Sequence, residues 1–282
     1  MVPVPRIMVT LHRVGSDRAG PLDSMRADAA GHFAFTYRRT GDEQAIYFAS
    51  ASYGGIAYFT PPLNDALVKG DNAEIAVFDT TSTLIPIRVA GHHIVVSGVD
   101  ANAQRAITEV YELSNDSTVT RISPGSGTTN PVWTALVPGR ATGFRVSQGD
   151  IPAAAVTFDN SRVEVFAPLA PGLAQLAFTY NLPASSFPLH VPVQQPTQIF
   201  EVLVEDVKGK VTGAKLKERE PVLLERRSFR RFLADEVPMN SVSVIDLPAA
   251  PRASIDRRYL AVLTLIIGGA MIAALARALR RR

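Results

Sequence analysis

The chain contains no cysteine, and this absence excludes several kinds of site at once. Without thiols there are no disulfides, thiolate-bound zinc ions, iron–sulfur clusters or cysteine nucleophiles. The absence does not identify a compartment, because disulfide-free proteins occur on both sides of a membrane. Charged residues make up 20% of the 282 residues and hydrophobic residues 46%, a balance typical of folded domains and not of long disordered chains.

The sequence also lacks the spacings that metal sites and common hydrolases need. It contains no H-E-x-x-H motif, and the Gly/Ser-rich segment 123–130 lacks the lysine of a phosphate-binding loop. His92 and His93 are adjacent in a predicted strand, so they face opposite ways and cannot bind one ion together. We interpret all five histidines as exposed or turn residues: His12, His32, His92, His93 and His190. The sequence therefore predicts no catalytic residue, no metal site and no cofactor.

The body of the chain has no helical hydrophobic period between residues 9 and 247. Short apolar alternations occur instead, interrupted every 8–12 residues or so by Gly, Pro, Asn and Asp, and this pattern is typical of β-sandwiches. The alternating runs are residues 7–11, 33–37, 46–48, 75–77, 163–165, 176–180, 200–203 and 242–244. We predict a mainly β protein of tandem Ig-like or transthyretin-like sandwiches, followed by one C-terminal transmembrane helix.

Two breaks in the pattern suggest domain boundaries. A polar run covers residues 79–83, and a Pro-rich joint covers residues 167–172. The predicted divisions are a first β-sandwich at 1–78, a second at 79–168, a third Ig-like domain at 169–249, a stalk at 250–258, a transmembrane helix at 259–276 and a basic tail at 277–282. A single larger sandwich over 79–249 is the alternative to two separate domains.

Residues 259–276 contain no charge, and arginines flank the segment at both ends. Eighteen helical residues span about 27 Å, close to the thickness of a bilayer core. Four arginines follow the segment and three precede it, which favours a cytoplasmic tail and a periplasmic body. A tail-anchored protein with a cytoplasmic body is the alternative. Small residues four apart on the helix favour packing against another helix: Gly269 with Ala273, and Ala270 with Ala274.

The segment 26–35 has the form of a D-x-x-G-x-F hairpin. Asp28 can accept hydrogen bonds across the turn, and Gly31 can adopt the positive φ that a longer hairpin loop needs. With the preceding strand at residues 5–11, this region resembles carboxypeptidase-regulatory-like domains, which are transthyretin-like Ig sandwiches. The resemblance covers about residues 3–78 and implies a structural or binding module. Family members usually have one strand before residue 5, so we also expect a signal sequence upstream of the given start.

A second, looser resemblance extends further along the chain. Its matching segments are residues 10–15, 51–59, 111–116 and 171–172. They are similar to membrane-anchored envelope proteins of the Gemmatimonadota, which include membrane-extrinsic scaffold subunits of photosynthetic reaction centre–antenna complexes. The resemblance implies a structural role in such a complex.

Charge is distributed unevenly. Residues 1–207 carry a net charge of −6, and residues 208–231 carry +6. A basic stretch near a membrane anchor suits an anionic lipid surface or an acidic protein face. Its candidate interaction residues are Arg226, Arg227, Arg230, Arg231, Lys215 and Lys217. A solvated edge strand protected by charge is the alternative.

We therefore predict a non-catalytic, membrane-anchored interaction subunit whose partners are other membrane protein subunits and anionic lipid. Nucleic acid is not expected, because the basic stretch lies beside the predicted anchor, and no small-molecule substrate is indicated. The second hypothesis is an envelope protein that binds ligands or glycans through aromatic residues, with Trp133, Tyr47, Tyr53 and Tyr58 as the candidates. An enzyme is the third.

Overall fold

The computed structural model describes residues 2–249, except residues 66, 126–129, 148 and 225. The described part is mainly β, with 3-10 helices of three or four residues as its helical elements. The chain divides into two compact units, which we call unit 1 (residues 1–81) and unit 2 (from residue 82 on). The predicted transmembrane helix, its small residues Gly269, Ala270, Ala273 and Ala274, the stalk and the tail lie outside the described residues. Among the described residues, no helix combines the length and apolar character needed to cross a membrane.

Unit 1 contains an antiparallel four-stranded sheet in the order β2-β1-β3-β4. The strands of this unit are β1 Met8–Val14, β2 Ala19–Arg26, β3 Ile46–Tyr53, β4 Ile56–Phe59 and β5 Thr80–Thr81, with a 3-10 helix at Gly70–Ala73. Strand β1 alternates as its sequence predicts, because Val9 and Leu11 are buried while Met8 and Val14 are largely exposed. One face of the sheet therefore packs on the core, and the other is left outside.

Two predicted strands of unit 1 are not strands in the structure. Residues 33–37 and 75–77 have no ladder partners among the described residues, although both alternate as half-buried strands do. Their apolar side chains still contribute to the core, since Phe33, Phe35 and Ile75 pack against Val9 and its neighbours. Hydrophobic alternation identified the buried side chains here but not the hydrogen bonding.

Unit 2 is built on a seven-stranded sheet in the order β10-β13-β7-β6-β15-β18-β17. Its longer strands are β6 Arg88–Val96, β7 Gln104–Asn115, β13 Gly172–Pro183, β15 Thr197–Val204, β17 Lys217–Leu224 and β18 Arg227–Val237. The shorter ones are β8 Thr120–Arg121, β9 Trp133–Leu136, β10 Thr142–Val146, β11 Val156–Asp159, β12 Arg162–Val165, β14 Leu189–Pro192, β16 Lys210–Gly213 and β19 Val242–Asp246, with 3-10 helices at Ala153–Ala155 and Ala184–Ser186. Neighbours in the large sheet are antiparallel except β6 and β15, which are parallel.

Two three-stranded sheets, β11-β12-β9 and β14-β19-β16, accompany the large sheet. All three sheets contribute to one contiguous core, which includes Ile107 and Phe178 from the large sheet and Val163 and Ile245 from the small ones. This is a β-sandwich-like arrangement, in which each sheet buries one apolar face against another. The predicted boundary between residues 168 and 169 falls inside unit 2, because β13 pairs with β7 over its full length.

Candidate interaction surfaces and buried polar clusters

The turn at residues 28–31 is closed by a side chain. The Asp28 carboxylate accepts backbone N–H bonds from Ala30 and His32, each at 2.8 Å. The bond from His32 is the main reason that the pKa of Asp28 is lowered. Gly31 has φ +80°, and a Cβ added there would lie 3.0 Å from the Pro3 side chain. Both the backbone angle and the close approach of Pro3 therefore require glycine.

The outer face of the unit 1 sheet exposes a row of apolar side chains. Val14 pairs with Ile46 across β1 and β3, and these residues are 45% and 48% exposed. His12 pairs with Phe48 and stacks on its ring, with 5.1 Å between centroids. Phe59 on β4 is 56% exposed and meets the Phe48 ring edge-on at 5.7 Å. We call this row the outer apolar face.

The row that forms the outer apolar face carries no Asp, Glu, Lys or Arg side chain, and Arg26, which pairs with Met8 at the other end of β1, is a charged residue on the same face of the sheet. Around its rings lie hydroxyl groups, with Ser50 bonded to His12 at 2.8 Å and Thr10 bonded to Ser24 at 3.0 Å. An exposed apolar row of this kind is well suited to a partner with an apolar surface. The sequence showed residues 46–48 as an alternating apolar run, but it did not indicate that Ile46 and Phe48 face outward while Tyr47 and Ala49 face the core.

The candidate basic residues are divided between paired and exposed positions. Strands β17 and β18 form a hairpin at one edge of the large sheet, and Arg226 lies in its turn with φ +66° and an exposed side chain. Lys215 precedes β17 and donates to the Glu236 carbonyl at 3.1 Å, and Lys217 begins β17 with an exposed side chain. Strand β17 pairs with β18 alone among the described strands, so it is an edge strand.

Three of the candidate arginines have partners within unit 2. Arg230 donates two bonds to the Glu218 carboxylate, at 2.7 and 2.9 Å. Arg231 donates to Glu201 at 2.5 Å, and Arg227 lies 3.9 Å from Glu205. A bidentate arginine–carboxylate pair fixes both side chains. Arg230 and Arg231 therefore hold β17, β18 and β15 together, whereas Arg226 is available to an external partner.

Glu201, the carboxylate that binds Arg231, also belongs to a buried polar cluster with His93, on the face of the large sheet to which Arg231 points. Glu201 accepts from His93 Nδ1 at 2.8 Å as well as from Arg231. Burial alone would raise the pKa of Glu201, but these two hydrogen bonds give a net lowering. Glu112 lies nearby and its pKa is raised, mainly by burial. The hydrogen bonds of Glu201 link β6, β15 and β18.

His92 points to the opposite face, into the core, and joins a different carboxylate. Glu109 accepts from His92 Nε2 at 2.8 Å, from the Tyr180 hydroxyl at 2.6 Å and from the Tyr111 hydroxyl at 3.1 Å. Burial, followed by the charge of Glu109, raises the pKa of both tyrosines well above the usual value. The structure therefore corrects the expectation that His92 and His93 are exposed, since they are 5% and 1% exposed.

The residues considered for a glycan platform are mostly packed inside. Tyr47 and Tyr58 in unit 1 are 3% and 7% exposed, and Trp133 in unit 2 is 5% exposed. Trp133 packs edge-on against Tyr111 at 4.8 Å and donates to Gln195 at 3.3 Å. Tyr53 is half-buried and bonds Asp79. Among the described residues, no group of three or more His, Cys, Asp or Glu side chains is placed to hold a metal ion.

The last described residues are held firmly to unit 2. Arg105 is fully buried and donates to the Pro248 carbonyl at 2.6 Å, to the Ser97 carbonyl at 2.8 Å and to Asp206 at 3.4 Å. Burial lowers the pKa of Arg105, and Asp206 partly compensates. Pro248 is thereby held beside the ends of β6 and β15.

Comparison with known proteins does not assign the chain to a family. No protein-family model matches it, and no curated protein matches it significantly.

Proposed function

We propose that this protein is a non-catalytic interaction subunit, anchored in the inner membrane by residues 259–276, whose β body contacts and stabilises a larger membrane protein complex from the periplasmic side. The outer apolar face of unit 1 is the observation that carries the proposal. Folded proteins rarely leave a contiguous apolar patch uncovered unless it binds something. A face formed by Val14, Ile46, Phe48 and Phe59 suits another protein subunit better than a charged ligand.

The resemblance to envelope proteins of the Gemmatimonadota supports a sharper version of this proposal. In that version the complex is a photosynthetic reaction centre with its antenna, and the protein is a scaffold subunit. The carboxypeptidase-regulatory-like resemblance of unit 1 supports a binding module in the same position. Exposed basic side chains such as Arg226 and Lys217 provide further contacts to lipid or protein.

Replacement of Phe59 by Ser tests the outer apolar face. The ring is more than half exposed, so the substitution should leave the fold intact while it removes apolar contact area from the interface. We expect several-fold less partner protein to copurify with the Phe59→Ser variant from membranes solubilised in mild detergent. The matched control is Leu136→Ser, which truncates a 47% exposed side chain on β9 of unit 2. Undiminished copurification with Phe59→Ser would contradict the assignment of this face.

One observation favours a second candidate function, a glycan-binding envelope protein. The rings of His12, Phe48 and Phe59 lie beside the hydroxyls of Thr10 and Ser50, and sugars bind to such combinations of aromatic faces and hydroxyls. The same Phe59→Ser variant separates the two candidates. Loss of binding to soluble polysaccharides by a monomeric protein would support glycan binding, whereas loss of copurifying membrane proteins supports the subunit.

A further inference from the structure

Four segments of unit 2 meet at one end of the sandwich. They are the tip of the β17–β18 hairpin, the turn between β15 and β16, the start of β7 at Arg105, and the segment around Pro248. Val204, the last residue of β15, pairs with Arg230 near the start of β18, so the tip of the β17–β18 hairpin and the β15–β16 turn lie at the same end. Arg230 donates to the carbonyls of Val207 and Gly209 in that turn. Asp206 in the same turn and Pro248 both bind Arg105. Pro248, next to the last described residue, therefore lies at the same end of unit 2 as the turn and the hairpin tip.

This end exposes apolar side chains next to basic ones. Leu223 on β17 is 74% exposed and Val207 in the turn is 60% exposed. Leu223 pairs with Ser228, two residues before Arg230, so Leu223 and Arg230 are on the same face of the hairpin. The side chains of Lys208 and Arg226 are exposed at this end. Arg230 is committed to Glu218, so Lys208 and Arg226 supply the available positive charge.

We infer that this end of unit 2 is a membrane-contact surface, on which Leu223 and Val207 enter the headgroup region of an anionic bilayer while Lys208 and Arg226 bind lipid phosphates. The inference rests on the proposed anchor at residues 259–276. Residues 250–258 span at most about 30 Å when extended. The end of unit 2 that carries Pro248 therefore lies within about that distance of the bilayer that holds the proposed anchor.

Lipid fits this surface better than a folded protein partner does. Exposed apolar side chains flanked by basic ones match the boundary between acyl chains and anionic headgroups, where Lys and Arg side chains are attracted to the lipid phosphates. The apolar groups project singly from a turn and a hairpin and do not form a broad flat face. A second subunit would instead use the outer apolar face of unit 1.

The absence of cysteine makes a site-specific test direct. The full-length chain, with one cysteine introduced by Leu223→Cys and labelled with the fluorophore NBD, is reconstituted into vesicles of phosphatidylcholine and phosphatidylglycerol. Met239→Cys is the matched control, because Met239 is 53% exposed and follows the other end of β18, about 35 Å away along the strand. Nitroxide-labelled phosphatidylcholine serves as the quencher.

We expect the fluorescence emission maximum of the label at residue 223 to shift to shorter wavelength when vesicles are present. We also expect the nitroxide lipid to quench this label several-fold more than the label at residue 239. Lys208→Glu with Arg226→Glu should reduce that quenching. If the labelled protein does not float with the vesicles, the anchor is wrong, and both this inference and the proposed function fail. If it floats but residues 223 and 239 are quenched equally, the anchor stands and the membrane-contact surface is overturned. A surface that binds another protein would give this second result, because the vesicles contain no other protein.

Discussion

The sequence pattern predicted a positive φ at Gly31, and the structure has glycine in that conformation. Its φ of +80° lies in the left-handed region, and Pro3 occupies the space that a Cβ would need. The Asp28 carboxylate, which binds two backbone amides of the turn, depends on that geometry. The turn therefore stabilises unit 1 through its backbone conformation.

Replacement of Gly31 by Val should destabilise unit 1 by about 1–3 kcal/mol, because a β-branched residue resists positive φ. Denaturant unfolding of the protein in detergent measures the change. Ala30→Val, at an exposed neighbouring position of the same turn, is the control and should have little effect. Equal unfolding midpoints for the Gly31→Val variant and the unmodified protein would refute the account of the turn.

The hydroxyls of Tyr180 and Tyr111 donate to different oxygens of the buried Glu109 carboxylate. Removing one hydroxyl or the other therefore leaves a different oxygen with one donor fewer. Tyr180 supplies the one protein hydrogen bond shown to Glu109 Oε1, whereas Tyr111 shares Oε2 with His92. Tyr180→Phe should cost about 1–3 kcal/mol of unfolding free energy, because a buried carboxylate oxygen loses its donor. Tyr111→Phe should cost less. A larger loss for Tyr111→Phe, measured by denaturant unfolding, would show that the network is wrongly described.

At the scale of elements, the β17–β18 hairpin carries two kinds of arginine. Arg230 and Arg231 form ion pairs that maintain the fold, whereas the side chain of Arg226 is exposed. Arg231 bridges β18 to Glu201 on β15, and Arg230 bridges the two strands of the hairpin through Glu218. Reversing all four candidate arginines at once would therefore mix a structural defect with any loss of binding. Single reversals distinguish the two effects.

Arg231→Glu should lower the unfolding free energy by about 1–3 kcal/mol, because it places a carboxylate beside the buried Glu201 and removes a charged donor. Arg226→Glu should leave stability nearly unchanged, since Arg226 lies exposed in the turn. Thermal unfolding of the two variants provides the comparison. Equal stability of both would mean that the Arg231–Glu201 pair contributes nothing to the fold.

Local patterns predicted several strands correctly. The alternating runs at 163–165, 176–180 and 242–244 lie in β12, β13 and β19, and the mainly β class is confirmed. Residues 33–37 alternate in the same way but form no ladder with any other described residue, because strand pairing depends on a partner that local sequence does not specify. The parallel pairing of β6 with β15 joins residues about a hundred positions apart, and no local pattern encodes it.

The buried polar clusters could not be predicted for the same reason. The alternation of His92 and His93 indicated opposite faces, and the structure places them so. Their burial depends on Glu109 and Glu201, which come from other strands and supply the hydrogen bonds that make a buried histidine tolerable. Likewise, the charge of the 208–231 stretch was visible in the sequence, but the partners that occupy Arg230 and Arg231 were not.

At the scale of the whole molecule, the proposal divides the contacts between two regions. In this proposal, unit 1 offers the outer apolar face to a partner subunit, and unit 2 presents to the bilayer the end that carries Val207, Lys208, Leu223 and Arg226. The first role requires exposed apolar area, and the second requires a short connection to an anchor together with basic charge. Neither proposed role requires a reacting group.

Isolation of the intact protein from its native membrane in mild detergent tests the central claim most directly. The protein in the eluate is separated by size, and its companions are identified and quantified by mass spectrometry. The account predicts that other membrane proteins accompany it in a fixed stoichiometry, in a particle much larger than the 30.4 kDa chain. A monodisperse single chain, recovered with no stoichiometric companion from the membrane in which it normally resides, would contradict the account.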